Sequence, residues 1–271
     1  MRHEYPADNP AFLTVEVESG SVEVAATETD QVAVELSGSG ADDTSVERDG
    51  DRLTITGPRS RGFSRSRSVH ARITTPAGSD LVTKLGSAPV SATGTLGVVR
   101  IATGSGDVDV DEVTGNAVVR TGSGDVRVRR IGGESNLKSG SGDITVGELL
   151  GASRLATGSG DIAVRHAEGA VSAKSGSGDV RVDEAGPQAS LASATGYLEV
   201  HRITTGKADL TNVSGNIRVG IPAGTPVWTD IATGTGRVRS GLEPTGAPAD
   251  GQPYVELKAR TTTGDVYLDQ L

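Results

Sequence analysis

The sequence predicts an all-β chain wound as a single-stranded parallel β-helix, a β-solenoid with one coil per 18 residues. Three observations predict it: a glycine-rich hexapeptide that returns at a fixed spacing, apolar residues that alternate with period two after each copy, and charges that change sign from one copy to the next. TGSGDV begins at Thr103 and Thr121, SGSGDI at Ser139, TGSGDI at Thr157 and SGSGDV at Ser175, each 18 residues after the last. Five copies at one spacing exclude coincidence. The frame runs back to LGSAPV at Leu85 and forward to SATGYL at Ser193, then continues with insertions and deletions through VSGNI at Val213, TGTGRV at Thr233 and TTGDV at Thr262.

Within a unit, the Thr or Ser is position 1. Position 6 reads Val108, Val126, Ile144, Ile162, Val180, Leu198, and position 8 reads Val110, Val128, Val146, Val164, Val182, Val200. β-Branched residues at every second place specify a strand with one buried face. A second, weaker strand closes the unit, with Ala117, Ser135, Ser153, Val171 and Ala189 at position 15 and Val119, Leu137, Leu155, Ala173 and Leu191 at position 17. The glycines at positions 2 and 4, Gly104 and Gly106 in the first copy, break the strand where the chain must turn, a place where residues without a Cβ can take a positive φ.

Two strands per unit could also form antiparallel hairpins, but then successive copies of one position lie far apart. In a parallel solenoid every position stacks on its own copy at about 4.8 Å, and outward residues pair along the stack. Positions 9 and 10 read Asp111-Glu112, Arg129-Arg130, Gly147-Glu148, Arg165-His166, Asp183-Glu184 and His201-Arg202, so acidic and basic coils alternate. That pattern favours stacking. The left-handed hexapeptide helix needs an apolar residue at every sixth place and does not fit. The expected hand is right, on the general preference for right-handed crossovers.

Residues 1–84 lack the motif yet alternate in Leu13–Val17, Ser21–Val24, Gln31–Leu36, Arg52–Thr56 and Val69–Ile73, and are expected to form irregular first coils and a cap continuous with the solenoid. Residues 85–271 form the regular array, interrupted by a Pro/Gly-rich loop at 241–253, and Trp228 and Tyr254 are expected to cover the last coil. The absence of cysteine excludes disulfides and zinc-thiolate sites. Seven aromatics in 271 residues predict a thin core of Val, Ala, Thr and Ser. No apolar run is long enough to span a membrane, and the first residues carry no apolar signal segment, so a soluble, cytoplasmic protein is expected.

At Gly104–Val108, Gly122–Val126, Gly140–Ile144, Gly158–Ile162 and Gly176–Val180 the chain resembles the bacterial putative-adhesin family of β-strand repeats, a domain of unknown function. The resemblance covers nearly the whole chain. It implies a parallel β-helix and surface interaction, and brings no catalytic residues with it.

Three constellations could carry chemistry. Asp107, Asp125, Asp143, Asp161 and Asp179 would stack along one edge. Like charges at that spacing repel by about 0.9 kcal/mol per neighbour in water. Calcium could compensate, but the nonapeptide calcium coils draw ligands from both turns, and the opposite turns here (Thr114-Gly-Asn116, Ile131-Gly-Gly133) supply no matching aspartate. The reading adopted is structural: each carboxylate accepts backbone N–H bonds in its turn, with Arg127 and Arg181 on the same face, and no metal. Catalysis on polysaccharide would need irregular carboxylates in a cleft, and His3, His70, His166 and His201 are scattered, so no enzyme and no cofactor are expected. Arg59, Arg61, Arg65 and Arg67 form a basic segment that could hold an anion. The net charge of −9 and a single nearby aromatic, Phe63, argue against nucleic acid. The expected function is a non-enzymatic scaffold or adhesin-like interaction surface for an unknown protein partner or for itself. Polysaccharide binding or processing and calcium binding are the alternatives.

Overall fold

The computed structural model describes residues 1–7, 9–59 and 67–271, which form two compact units, Met1–Gly142 and Asp143–Leu271. In each unit the chain passes back and forth between two sheets built mainly of parallel strands. Among the described residues the one helical element is a 3₁₀ turn at Ala41–Asp43.

In the first unit, one sheet orders its strands Arg2–Pro6, Gln31–Ser37, Val69–Pro76, Gly20–Thr27, Val90–Leu96, Val108–Val113 and Val126–Ile131. The other orders Ser45–Asp49, Arg52–Thr56, Phe12–Val17, Asp80–Leu85, Val99–Thr103, Ala117–Thr121 and Ser135–Ser139. The stacking expected from the repeat is present: Val108 lies beside Val126, Val110 beside Val128, and Val119 beside Leu137. These positions are buried, as are Ile101, Ala117 and Ile131, so the alternating apolar residues of both sheets fill the space between them. A one-residue bulge separates Val90–Leu96 from Val108–Val113 at Gly94, whose positive φ of 82° accommodates it.

The second unit has the same plan. Ile144, Ile162, Val180 and Leu198 stack in register in one sheet, and Ser153, Val171, Ala189 and Ala208 in the other. Leucine, isoleucine and valine at the inward positions reach complete burial without a single aromatic ring among the largest buried side chains. A thin core of aliphatic residues suffices because each inward side chain packs on its copies above and below.

The coils at the outer end of each unit do not follow chain order. In the first unit, Phe12–Val17 lies between Arg52–Thr56 and Asp80–Leu85, while Gly20–Thr27 lies between Val69–Pro76 and Val90–Leu96. The coil that comes first in sequence is therefore second in space. In the second unit, Val255–Thr263 is inserted between Gly206–Ser214 and Val227–Thr235, and Val266–Gln270 between Ile217–Ile221 and Val238–Ser240. Trp228 thus sits on the outermost strand and is 62% exposed, so the expectation that it covers the last coil is corrected. Three antiparallel strands, Arg2–Pro6, Gln31–Ser37 and Ser45–Asp49, complete the first unit.

Candidate functional site

The repeated turn is built from the hydroxyl at position 1. Thr121 Oγ1 donates to the Gly106 carbonyl at 3.2 Å and accepts the Gly124 amide at 3.0 Å. In the second unit Ser175 Oγ donates to Gly160 at 2.9 Å and accepts from Gly178 at 2.8 Å. Both hydroxyls are buried, and a side chain that both donates and accepts is needed to satisfy two backbone groups there. The sequence reading placed these residues at the end of a strand and missed this role. The signal that could have found it was the strict restriction to Thr or Ser at an inward place.

At position 4 of the first GSGD copies the glycines serve close approach and not a left-handed turn, whereas in the later, irregular copies Gly196, Gly215, Gly236 and Gly264 combine close approach with a positive φ of 135–158°. The positive-φ glycines include neither Gly106 nor Gly124, so in these copies glycine is not required by its φ. A Cβ on Gly106 would overlap the Ala88 carbonyl oxygen, and one on Gly124 that of Gly106. Backbone stacked on backbone leaves no room for a side chain.

The aspartates use the same geometry. The Asp125 amide donates to Asp107 Oδ1 at 2.9 Å, that of Asp161 to Asp143 at 2.8 Å, that of Asp179 to Asp161 at 2.8 Å, and that of Tyr197 to Asp179 at 2.7 Å. Each carboxylate thus holds the peptide of the following coil, not a group of its own turn. Arg127 pairs with Asp125 at 2.7 Å, whereas Arg181 turns away from Asp179 to Asp183 and Glu199. Among the described residues no group of three or more His, Asp or Glu is arranged to hold a metal ion. The same device recurs at Asp265, whose Oδ1 accepts the Arg237 amide at 2.8 Å. That bond, and the Tyr267 hydroxyl, hold its carboxyl below the ordinary aspartate range.

The alternating charges pair as their spacing requires. Arg129 reaches Asp111 at 3.2 Å, Glu112 lies opposite Arg130, and His166 Nδ1 meets Glu184 at 2.9 Å. These side chains are partly to largely exposed, so solvent screens each pair and it contributes little, but opposite signs fix the register. Of the basic segment, Arg61 and Arg65 lie outside the described residues. Arg59 pairs with Glu16 at 3.4 Å and Arg67 with Asp43, on different strands or turns.

Two concavities at the outer edge of the second unit were not anticipated. One, of about 630 Å³, is lined by Trp228, Tyr254, Pro248, Lys207, Glu256 and Lys258. The other, of about 400 Å³, is lined by Ile221, Val227, Ile231, Val238, Leu242 and Leu268. Ile221, Val227, Ile231, Val238 and Leu268 belong to strand patterns that read as ordinary core, and the order of the coils leaves them lining a cavity.

Stacked parallel strands, buried hydroxyls and backbone-bound carboxylates define a β-solenoid. The chain belongs to the Toastrack family of domains, DUF4097, whose family model matches residues 12–269. It is similar to a putative adhesin from Bacteroides fragilis at 11% identity, covering 100% of this chain and 96% of the other with a TM-score of 0.37. It is also similar to a putative adhesin from Parabacteroides merdae at 15% identity, 98% and 95% coverage and a TM-score of 0.37. A putative lipid binding protein from Parabacteroides distasonis shows 14% identity, 100% and 96% coverage and a TM-score of 0.35. No curated protein matches the sequence. Among the described residues no helix is long and apolar enough to cross a membrane.

Proposed function

We propose that the chain is a non-enzymatic, right-handed β-solenoid of 18-residue coils whose charged outer faces serve as an adhesin-like surface for a protein partner. The observation that supports this reading is the engagement of the turn carboxylates: Asp107, Asp143, Asp161 and Asp179 each already accept a backbone amide from the next coil. A carboxylate committed to stacking is a poor general base and offers a cation fewer free oxygens. The outward rows, by contrast, leave charges accessible within each unit, Arg129 and Arg130 in the first and Glu184 beside Arg202 in the second, at a repeat set by the strand spacing.

The test is capture of partners on the immobilised intact chain, compared with Arg129→Glu/Arg130→Glu. Retention of a partner by the first and loss by the second, at low salt, is the expected result. Equal retention by both removes the charged face from the proposal. Turnover of any member of a polysaccharide panel removes the non-enzymatic part. A second reading, glycan binding, draws on one observation: the molecule's single Trp and Tyr254 are exposed together beside Lys207 and Glu256. Loss of retention on a glycan array by Trp228→Ala would support it.

A further inference from the structure

Val227–Thr235 is the outermost strand of its sheet, paired on one side only, with Val255–Thr263. Its nine residues carry one charge, Asp230, which Arg260 of the inner strand meets at 2.8 Å. The Val255 amide donates to the Pro226 carbonyl at 3.0 Å. In a parallel ladder that phase turns the even-numbered peptides inward and leaves those of Val227, Thr229 and Ile231 facing solvent. The side chains of the same three residues point toward the core, because their register partners Val255, Leu257 and Ala259 are buried. Val227 and Ile231 line the 400 Å³ cavity together with Val238, Leu242 and Leu268. The edge therefore presents unpaired backbone and an unfinished core side by side.

We propose that a second copy of this chain docks here, by antiparallel pairing of the two Val227–Thr235 strands about a two-fold axis at Ile231. The inference stands on the edge strand alone and does not need the charged faces to bind anything. Pairing centred on Ile231 brings Thr229 opposite Thr233 of the second copy, so the free peptide groups of one strand meet those of the other. On the outer face Trp228 comes to lie over Gly234 of the second copy, an aromatic ring covering a bare stretch of edge backbone. Asp230 falls opposite Ala232 of the second copy, so no like charges meet. On the inner face the half-buried Val227 and Ile231 of both copies join two open cores into one. Symmetry supplies every one of these matches, and a two-fold pairing uses the edge up and stops at two.

Sedimentation velocity of the intact chain over a concentration series tests the proposal, with a reversible dimer as the expected result. Thr229→Pro removes an outward amide and leaves the inward ladder whole, as proline on an edge strand can. It is expected to weaken the dimer about tenfold or more without changing circular dichroism or melting. Ala232→Asp faces Asp230 of the second copy and weakens association about threefold, whereas Ala232→Lys strengthens it by a similar factor. Because Ala232 is exposed, that pair decides the matter even if the proline variant unfolds the edge. A monomer at every concentration overturns the proposal, as does growth beyond two copies. So does a dimer indifferent to Thr229→Pro or one that both Ala232 variants shift alike. Slow hydrogen exchange at Thr229 and Ile231 in a monomer would assign the edge to the chain's own 241–254 loop, and capture of a different protein there would assign it to that protein. Either result sinks the second copy.

Discussion

The outer edges of the two units differ in the way they meet solvent. In the first, Arg2–Pro6 and Ser45–Asp49 are five residues each and run antiparallel to their neighbours. They carry Arg2, Glu4, Glu47, Arg48 and Asp49, with Arg2 tied to Glu4 and Glu35, and Arg48 lying over the Tyr5 ring. Short strands loaded with charge are poor templates for further pairing. In the second unit the corresponding strand is nine residues, parallel, and has one charge. The same coil architecture thus ends once in a protected edge and once in a receptive one, and the difference resides in composition and strand direction.

That contrast can be broken or sharpened by substitution. The largest effect is expected at the protected end. Leu36 is fully covered within Gln31–Ser37, and Leu36→Ala should cost about 2–4 kcal/mol by chemical denaturation. Ile231→Ala, half buried at the receptive edge, should cost about 1 kcal/mol or less. Equal losses would mean that both ends are closed alike. Next comes the position-1 hydroxyl. Thr121→Val strands two buried backbone groups and should cost about 1–3 kcal/mol. Thr235→Val, two places beyond position 1 at the receptive edge, removes one exposed 3.5 Å bond and should stay within about 0.5 kcal/mol.

A smaller effect concerns acid. The pKa of Asp265 is lowered in the folded chain, first by the Arg237 amide. Its stabilisation is therefore complete above the pKa of an unfolded aspartate and is lost as pH falls through the folded value. Acid should fray Val227–Ser240 before the rest, read as early loss of amide protection there, and Asp265→Asn should flatten that pH dependence. The smallest expected effect is none at all. Melting temperature in excess calcium and in chelator should agree within error, since Asp107, Asp143, Asp161 and Asp179 are engaged by backbone amides. A calcium-dependent rise would reassign the turn carboxylates.

Much of the stacking was legible because it is local and repeated. Val108 beside Val126 and Glu112 beside Arg130 follow from the spacing once strands are taken to stack. The glycine motif was visible but its reason was not. A turn and a steric approach both call for glycine, and only the position of the Gly106 oxygen under Gly124 distinguishes them. The aspartates were assigned to backbone bonds, but the donor lies one coil away and not in the same turn. The open edge was not legible at all. Trp228 and Ile231 alternate like any other strand, and nothing in TGTGRV or TTGDV tells which of the two coils lies outside the other.

The amino-acid sequence by itself determined the strand content, the inward and outward faces and the register between copies, because each of these depends on interactions that repeat at a fixed separation along the chain. The tertiary structure alone decided the order of the outermost coils, and with it which residues remain unpaired. The copies are nearly equivalent as neighbours, so their order depends on how the connecting segments reach, and the 14 residues between Ser240 and Val255 are long enough to return the chain inward past a coil already laid down.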